Sequence, residues 1–148
     1  MVSEVQCQYC YNAPAPKEQF YETKLFRVLV ARRSFADGHI IIVPKKHDPH
    51  FYGFSLDELE EFGYLVKKTS FWAMRLTRAP GFTLLMNDGT PEVADQDHLE
   101  IHVLPRPIGS QQFKTIADAI ESENKDLPDE EVEKIVQQLK NLMQLPQV

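Results

Sequence analysis

Cysteine is nearly absent from this sequence, with only Cys7 and Cys10 in the whole chain. A disulfide-stapled scaffold is thereby excluded, because such domains devote far more of their length to cysteine. Long apolar runs are missing too. None approaches the roughly 20 residues that a bilayer-spanning helix requires. Positive charge is in deficit, with 16 Lys and Arg against 22 Asp and Glu and a net charge of −6. That balance argues against a nucleic-acid polymer or an anionic membrane as the main partner. The opening MVSEVQCQYC has neither the basic nor the apolar region of a secretory signal, so the expected location is the cytoplasm.

What is present suits one soluble domain. The 148 residues are 43% hydrophobic and 26% charged, and a chain of that length buries enough surface to fold without staples. The β-branched runs 25–32 and 39–45 flank RSFADG, in which Asp37-Gly38 is the turn signal and Pro44 closes the second run, predicting a hairpin. Residues 55–78 predict the long helix: Ser55 and Glu58 form a capping box. Leu59, Phe62, Leu65, Val66, Thr69, Trp72, Ala73 and Leu76 follow at helical spacing, and Pro80-Gly81 ends the run. Two further strands are expected over 81–88 and 98–106. A C-terminal helix starts at Pro128 and buries Val132, Ile135, Val136, Leu139 and Leu142. The order β-β-α-β-β-α predicts an α+β fold around one antiparallel sheet.

Two groups of residues carry chemistry. The first is Cys7-x-x-Cys10 with His47 and His98, which offers zinc the thiolate and imidazole donors it prefers. His50 competes with His47 for the third position, and a C-x-x-C pair also serves redox chemistry. Prolines follow the pair here, where a redox motif would open a helix. The second group lies in HLEIHVLPR, residues 98–106. Strand alternation puts His98, Glu100 and His102 on one face and Leu99, Ile101 and Val103 on the other. With His39 on a neighbouring strand, imidazoles and a carboxylate gather on one rigid sheet, the layout of an acid–base or phosphoryl-transfer site.

The segments DGHIIIVPKKH, SLDEL, MNDGTPE and HLEIHVLPR resemble the histidine-triad (HIT) superfamily of nucleotide hydrolases and transferases. The likeness runs from about Cys7 to Arg106, with a helical extension over about 116–148 in a single domain. The resemblance implies a structural zinc on Cys7, Cys10, His47 and His98, a homodimer, and a small nucleotide or phosphate ester as ligand. It places substrate-binding roles on His39, Asn87 and His102.

The departures matter more. Glu100 stands where the family has its nucleophilic middle histidine. Val93-Ala94 replace the family's Gly-Gln, Asp95 its Ser or Thr, and Ala31 its ribose-binding Asp or Asn. These losses together imply that ordinary nucleotidyl transfer is weak or absent. The alternative is an active phosphoesterase or nucleotide hydrolase with Glu100 as general base beside His102 and His39. A pure interaction module, with Val66, Phe71, Trp72 and Met74 among candidates for a partner face, is the third reading. Arg32 and Arg33 are expected near the pocket mouth.

Overall fold

The computed structural model describes residues 7–89, 98–106, 108 and 125–146. Strands β1 (Gln19–Glu22), β2 (Phe26–Val30), β4 (Ile40–Pro44), β5 (Phe82–Asn87) and β6 (Glu100–Pro105) form one antiparallel sheet in the order β1-β2-β4-β6-β5. The fold is α+β with helix α1 (Leu56–Thr77) and helix α2 (Asp129–Leu142). A second, two-stranded sheet pairs β3 (Arg33–Ser34) with β7 (Lys125–Asp126). No helix among the described residues is long and apolar enough to cross a membrane.

The expected hairpin is β2 and β4, in register from Phe26 opposite Pro44 to Val30 opposite Ile40. Gly38 turns the chain at φ +76°, where a Cβ would lie 2.5 Å from Thr77 Cγ2. Both the backbone conformation and the space call for glycine. Three short strands, β1, β3 and β7, are additions to the order expected from the sequence.

The sheet has two chemically different faces. One carries Val28, Val30, Ile40, Ile42, Ile101 and Val103 against Leu65, Trp72 and Ala73 of α1 and Val132, Val136 and Leu139 of α2. Side chains such as these contribute about 1.5–3 kcal/mol each when fully buried, so this face holds the fold together. Helix α1 begins with the expected capping box, Ser55 Oγ accepting from the Glu58 amide and Glu58 Oε1 from the Ser55 amide. It ends at Arg78 in the left-handed region. Leu59, expected on the buried stripe, is 40% exposed in the first turns of α1, where Leu56 is 83% exposed.

The opposite face carries Leu29, Ala31, Ile41 and Val43, with Cys7 and Tyr9 packed on them. No helix covers it. His39, His102 and Glu100 share its alternation parity, His102 lying opposite Ile41.

Candidate functional site

The N-terminal knuckle brings four donors together. Cys7 Sγ lies 3.2 Å from His98 Nδ1, Cys10 Sγ 3.2 Å from His47 Nδ1 and 3.9 Å from His98 Nδ1, and the two Nδ1 atoms are 3.4 Å apart. A tetrahedral zinc with ordinary bond lengths sets its ligands about 3.3–3.8 Å apart. All four ligand atoms lie within 4.8 Å of one another, so the cluster could hold a metal ion. The outer face of His98 suits the same role: its Nε2–H donates to the Pro44 carbonyl at 2.5 Å, leaving Nδ1 with the lone pair. Second contacts of this kind fix the tautomer of a metal-binding imidazole.

The structure separates the two candidate histidines. His47 sits in the cluster, whereas His50 Nδ1 bonds Asp88 Oδ1 at 2.8 Å and its ring stacks on Tyr52. The other Asp88 oxygen accepts from the Phe51 amide at 2.7 Å. These bonds, the Phe51 amide first, hold the Asp88 carboxyl below its ordinary pKa.

Arg27, buried on β2, holds the knuckle from beneath. Its guanidinium donates to the carbonyls of Tyr9, Cys10 and Ala13 at 2.7–3.1 Å and to Gln19 Oε1 at 2.9 Å. A planar fork can span several carbonyls at once, which an ammonium cannot do.

A cleft of about 590 Å³ opens on the same face, over His39, Glu100 and His102. Its size is that of a small-molecule site. His39 Nδ1 accepts from the Phe35 amide at 3.1 Å, so a neutral His39 carries its proton on Nε2. That proton is donated to His102 Nδ1 at 2.8 Å. His102 in turn keeps its proton on Nε2, 3.7 Å from Glu100 Oε2, beyond direct hydrogen-bond reach. Burial, and then the neighbouring His102, hold His39 well below its ordinary pKa.

Around the cleft lie Leu29, Ala31, Ile41, Arg32, Arg33, Glu18 and Asp126. Arg32 is committed elsewhere: it bonds Glu18 at 2.5 Å and Asp129 at 2.7 Å. Both carboxylates raise its pKa, Glu18 most. Its expected part at the pocket mouth is therefore limited by two carboxylates, while Arg33 lines the cleft and is exposed. Asn87 lies opposite Glu100 across β5 and β6, with an exposed side chain, and it is not among the cleft-lining residues. Val93, Ala94 and Asp95 fall outside the described residues. Sequence reasoning missed Gln8 and Tyr9, which line the cleft from between the two cysteines. Their position inside a C-x-x-C motif was the available signal.

The HIT domain family model matches residues 12–108. A bifunctional bis(5'-adenosyl)-triphosphatase/adenylylsulfatase FHIT from Arabidopsis thaliana is 28% identical over 76% of this chain. The chain spans 63% of that relative's length. Among solved structures, the Plasmodium falciparum diadenosine triphosphate hydrolase, in complex with cyclomarin A, superposes with a TM-score of 0.72 at 19% identity, covering 91% of this chain and 82% of that one. A zinc-bound histidine triad family protein from Mycobacterium smegmatis superposes at 0.64 and 23% identity, over 95% and 99%. The sheet order, the His39–His102 pair on its other face and a family match to about two-thirds of the sequence have one reading: the chain belongs to the HIT family.

Proposed function

We propose that this chain binds a small nucleotide or phosphate ester in the cleft over His39, Glu100 and His102, and that nucleotidyl transfer through a covalent histidine is weak or lost. The observation that carries this reading is the placement of Glu100. It occupies the middle of the polar row of β6, with Oε2 3.7 Å from His102 Nε2, where the resemblance puts a nucleophilic imidazole. A carboxylate about 4 Å from a phosphate oxygen is repelled by roughly 4 kcal/mol at an effective dielectric near 20. Such a penalty is worth about three orders of magnitude in rate. Ala31, in the same cleft, has no side-chain polar atom with which to hold a ribose hydroxyl.

The cleft residues still supply binding chemistry. His102 presents an Nε2–H donor whose tautomer is fixed through His39 by the Phe35 amide. Leu29, Ala31 and Ile41 give an apolar floor. The nucleotide activities named for the Arabidopsis and Plasmodium relatives support a nucleotide as the ligand class.

Cys7, Cys10, His47 and His98 would hold zinc. Two thiolates and two imidazoles suit zinc over harder cations, and the zinc-bound Mycobacterium relative supports that choice. Four protein donors leave no open coordination position, so the ion's role is structural. Cysteines placed as metal ligands and not joined in a disulfide suit a reducing compartment, which supports the cytoplasm. A homodimer through α1 and β5 is supported by Phe82 and Leu84, 38% and 41% exposed on the edge strand.

A second reading has one specific support. The proton on His102 Nε2 and the Glu100 carboxylate face the same cleft. Glu100 acting as general base could take a proton from water while His102 donates to the developing phosphate charge. A panel of diadenosine polyphosphates and nucleoside phosphate esters, offered to wild type and Glu100→His, tests both readings. Silence of the wild type with hydrolysis by the variant supports a lost nucleophile. Turnover by the wild type alone overturns that reading in favour of the general base.

A further inference from the structure

The two sites on the open face share residues. Gln8 and Tyr9 sit between the metal-cluster cysteines and also line the cleft of His39, Glu100 and His102. Tyr9 is buried on Leu29, Ala31, Ile41 and Val43, and its ring meets His98 edge-on at 5.4 Å. Leu29, Ala31 and Ile41 are themselves cleft residues. The knuckle is thus at once the frame of the metal cluster and one wall of the cleft.

Among the described residues the knuckle, residues 7–13, precedes the first paired strand, β1, which begins at Gln19. Besides the packing of Tyr9, two devices tie it to the rest of the fold: the side chains of Cys7 and Cys10 at the cluster, and the Arg27 fork on the Tyr9, Cys10 and Ala13 carbonyls. His98, the donor opposite, is followed at alternate positions by Glu100 and His102 on the cleft face. A metal on the cluster would therefore tie both the knuckle wall and the start of β6.

Resting on the nucleotide-pocket reading above, we propose that Gln8 and Tyr9 are ligand-binding wall residues whose placement depends on the metal, with Arg27 as the positioning residue joining the two sites. Metal and nucleotide then bind with positive coupling, and each tightens the other by the same factor. Couplings between sites are typically about 5–150-fold. Because the two sites share one short wall, a coupling of about tenfold or more is expected here.

Titrating adenosine 5'-monophosphate (AMP) into zinc-loaded and chelator-treated protein tests the coupling, with hydrogen exchange at Gln8, Tyr9 and Leu29–Ala31 followed in parallel. Expected are AMP binding about tenfold weaker without zinc, faster exchange at those amides, and recovery of both on adding zinc. Equal affinity and equal exchange with and without zinc would overturn the proposal. If zinc-loaded protein binds no AMP, the nucleotide-pocket reading fails, and exchange alone then decides. Protection of Gln8, Tyr9 and Leu29–Ala31 by zinc upholds the metal-held wall, and unchanged exchange overturns it. Should chelation unfold the protein, zinc-loaded Arg27→Lys replaces it. That variant keeps the charge but loses the fork, so AMP binding weakens while one zinc per chain is retained; wild-type affinity and exchange in this variant sink the proposal. Gln8→Ala, by contrast, weakens AMP binding and leaves zinc affinity unchanged.

Discussion

His39 Nε2 lies 2.8 Å from His102 Nδ1, and the Phe35 amide on the far side of His39 decides which ring donates. The amide can only donate, so His39 must accept at Nδ1 and donate at Nε2. One backbone group thereby sets the protonation pattern of two side chains.

That pattern predicts a pH dependence. His39 has its folded pKa depressed, by burial first, so the unfolded chain takes up its proton at higher pH. Stability is therefore full above about 6.5 and falls as the pH drops from there toward the folded value. The slope contributed by one proton is about 1.4 kcal/mol per pH unit. Urea unfolding of zinc-saturated protein between pH 7 and 5 is expected to show this loss, with a shallower slope in His39→Gln. Equal slopes in the two proteins would exclude His39 as the source.

Glu100→Gln separates the two readings of the cleft. Removing the charge while keeping the shape relieves the repulsion, so AMP is expected to bind about tenfold more tightly, a discounted share of the Coulomb penalty. Calorimetry reads this directly. Weaker or unchanged binding, together with loss of a wild-type hydrolytic activity, would mark Glu100 as a working base.

The metal cluster predicts opposite results for two neighbouring histidines. At free zinc about a thousandfold above its dissociation constant, binding adds about 4 kcal/mol. For a domain of this size that is about 10 °C in Tm. His47→Ala is expected to abolish the zinc-dependent rise, while His50→Ala keeps it and loses the Asp88 contact and the Tyr52 stacking. A zinc-dependent rise that survives in His47→Ala and vanishes in His50→Ala would reverse the ligand assignment.

Gly38→Ala is expected to destabilise by about 2 kcal/mol or more. The left-handed backbone costs an alanine about 1–2 kcal/mol, and its Cβ would press on Thr77 and Pro105. Because His39 follows directly, AMP affinity should fall as well. Differential scanning calorimetry showing a loss below about 0.5 kcal/mol would mean the turn relaxes freely.

Local signals carried most of the fold. The Ser55–Glu58 box, the Asp37-Gly38 turn and the alternation of β6 each depend on residues a few positions apart, and each is found where the sequence places it. What escaped depends on distant pairing. Strand β1 is four residues long after a proline-rich stretch, and β3 and β7 are two residues each, separated by about ninety positions. Spacing alone left His47 and His50 open, since both follow the same strand; the family resemblance favoured His47, and the fold shows Asp88 bonded to His50. Gln8 and Tyr9 were hidden because a C-x-x-C motif draws notice to its sulfurs and away from the residues between them.

Strand β6 has a consequence for how such a chain can change over generations. His98 serves the cluster, and Glu100 and His102 the cleft, all through a two-residue repeat on one strand. Inserting or deleting a single residue between them would turn later side chains to the helix-covered face and bring Ile101 or Val103 into the cleft. Length variation is thus closed to this segment, and innovation there is restricted to one-for-one exchange of side chains. Position 100, in the middle of that row, is where such a constraint leaves exchange of side chains open.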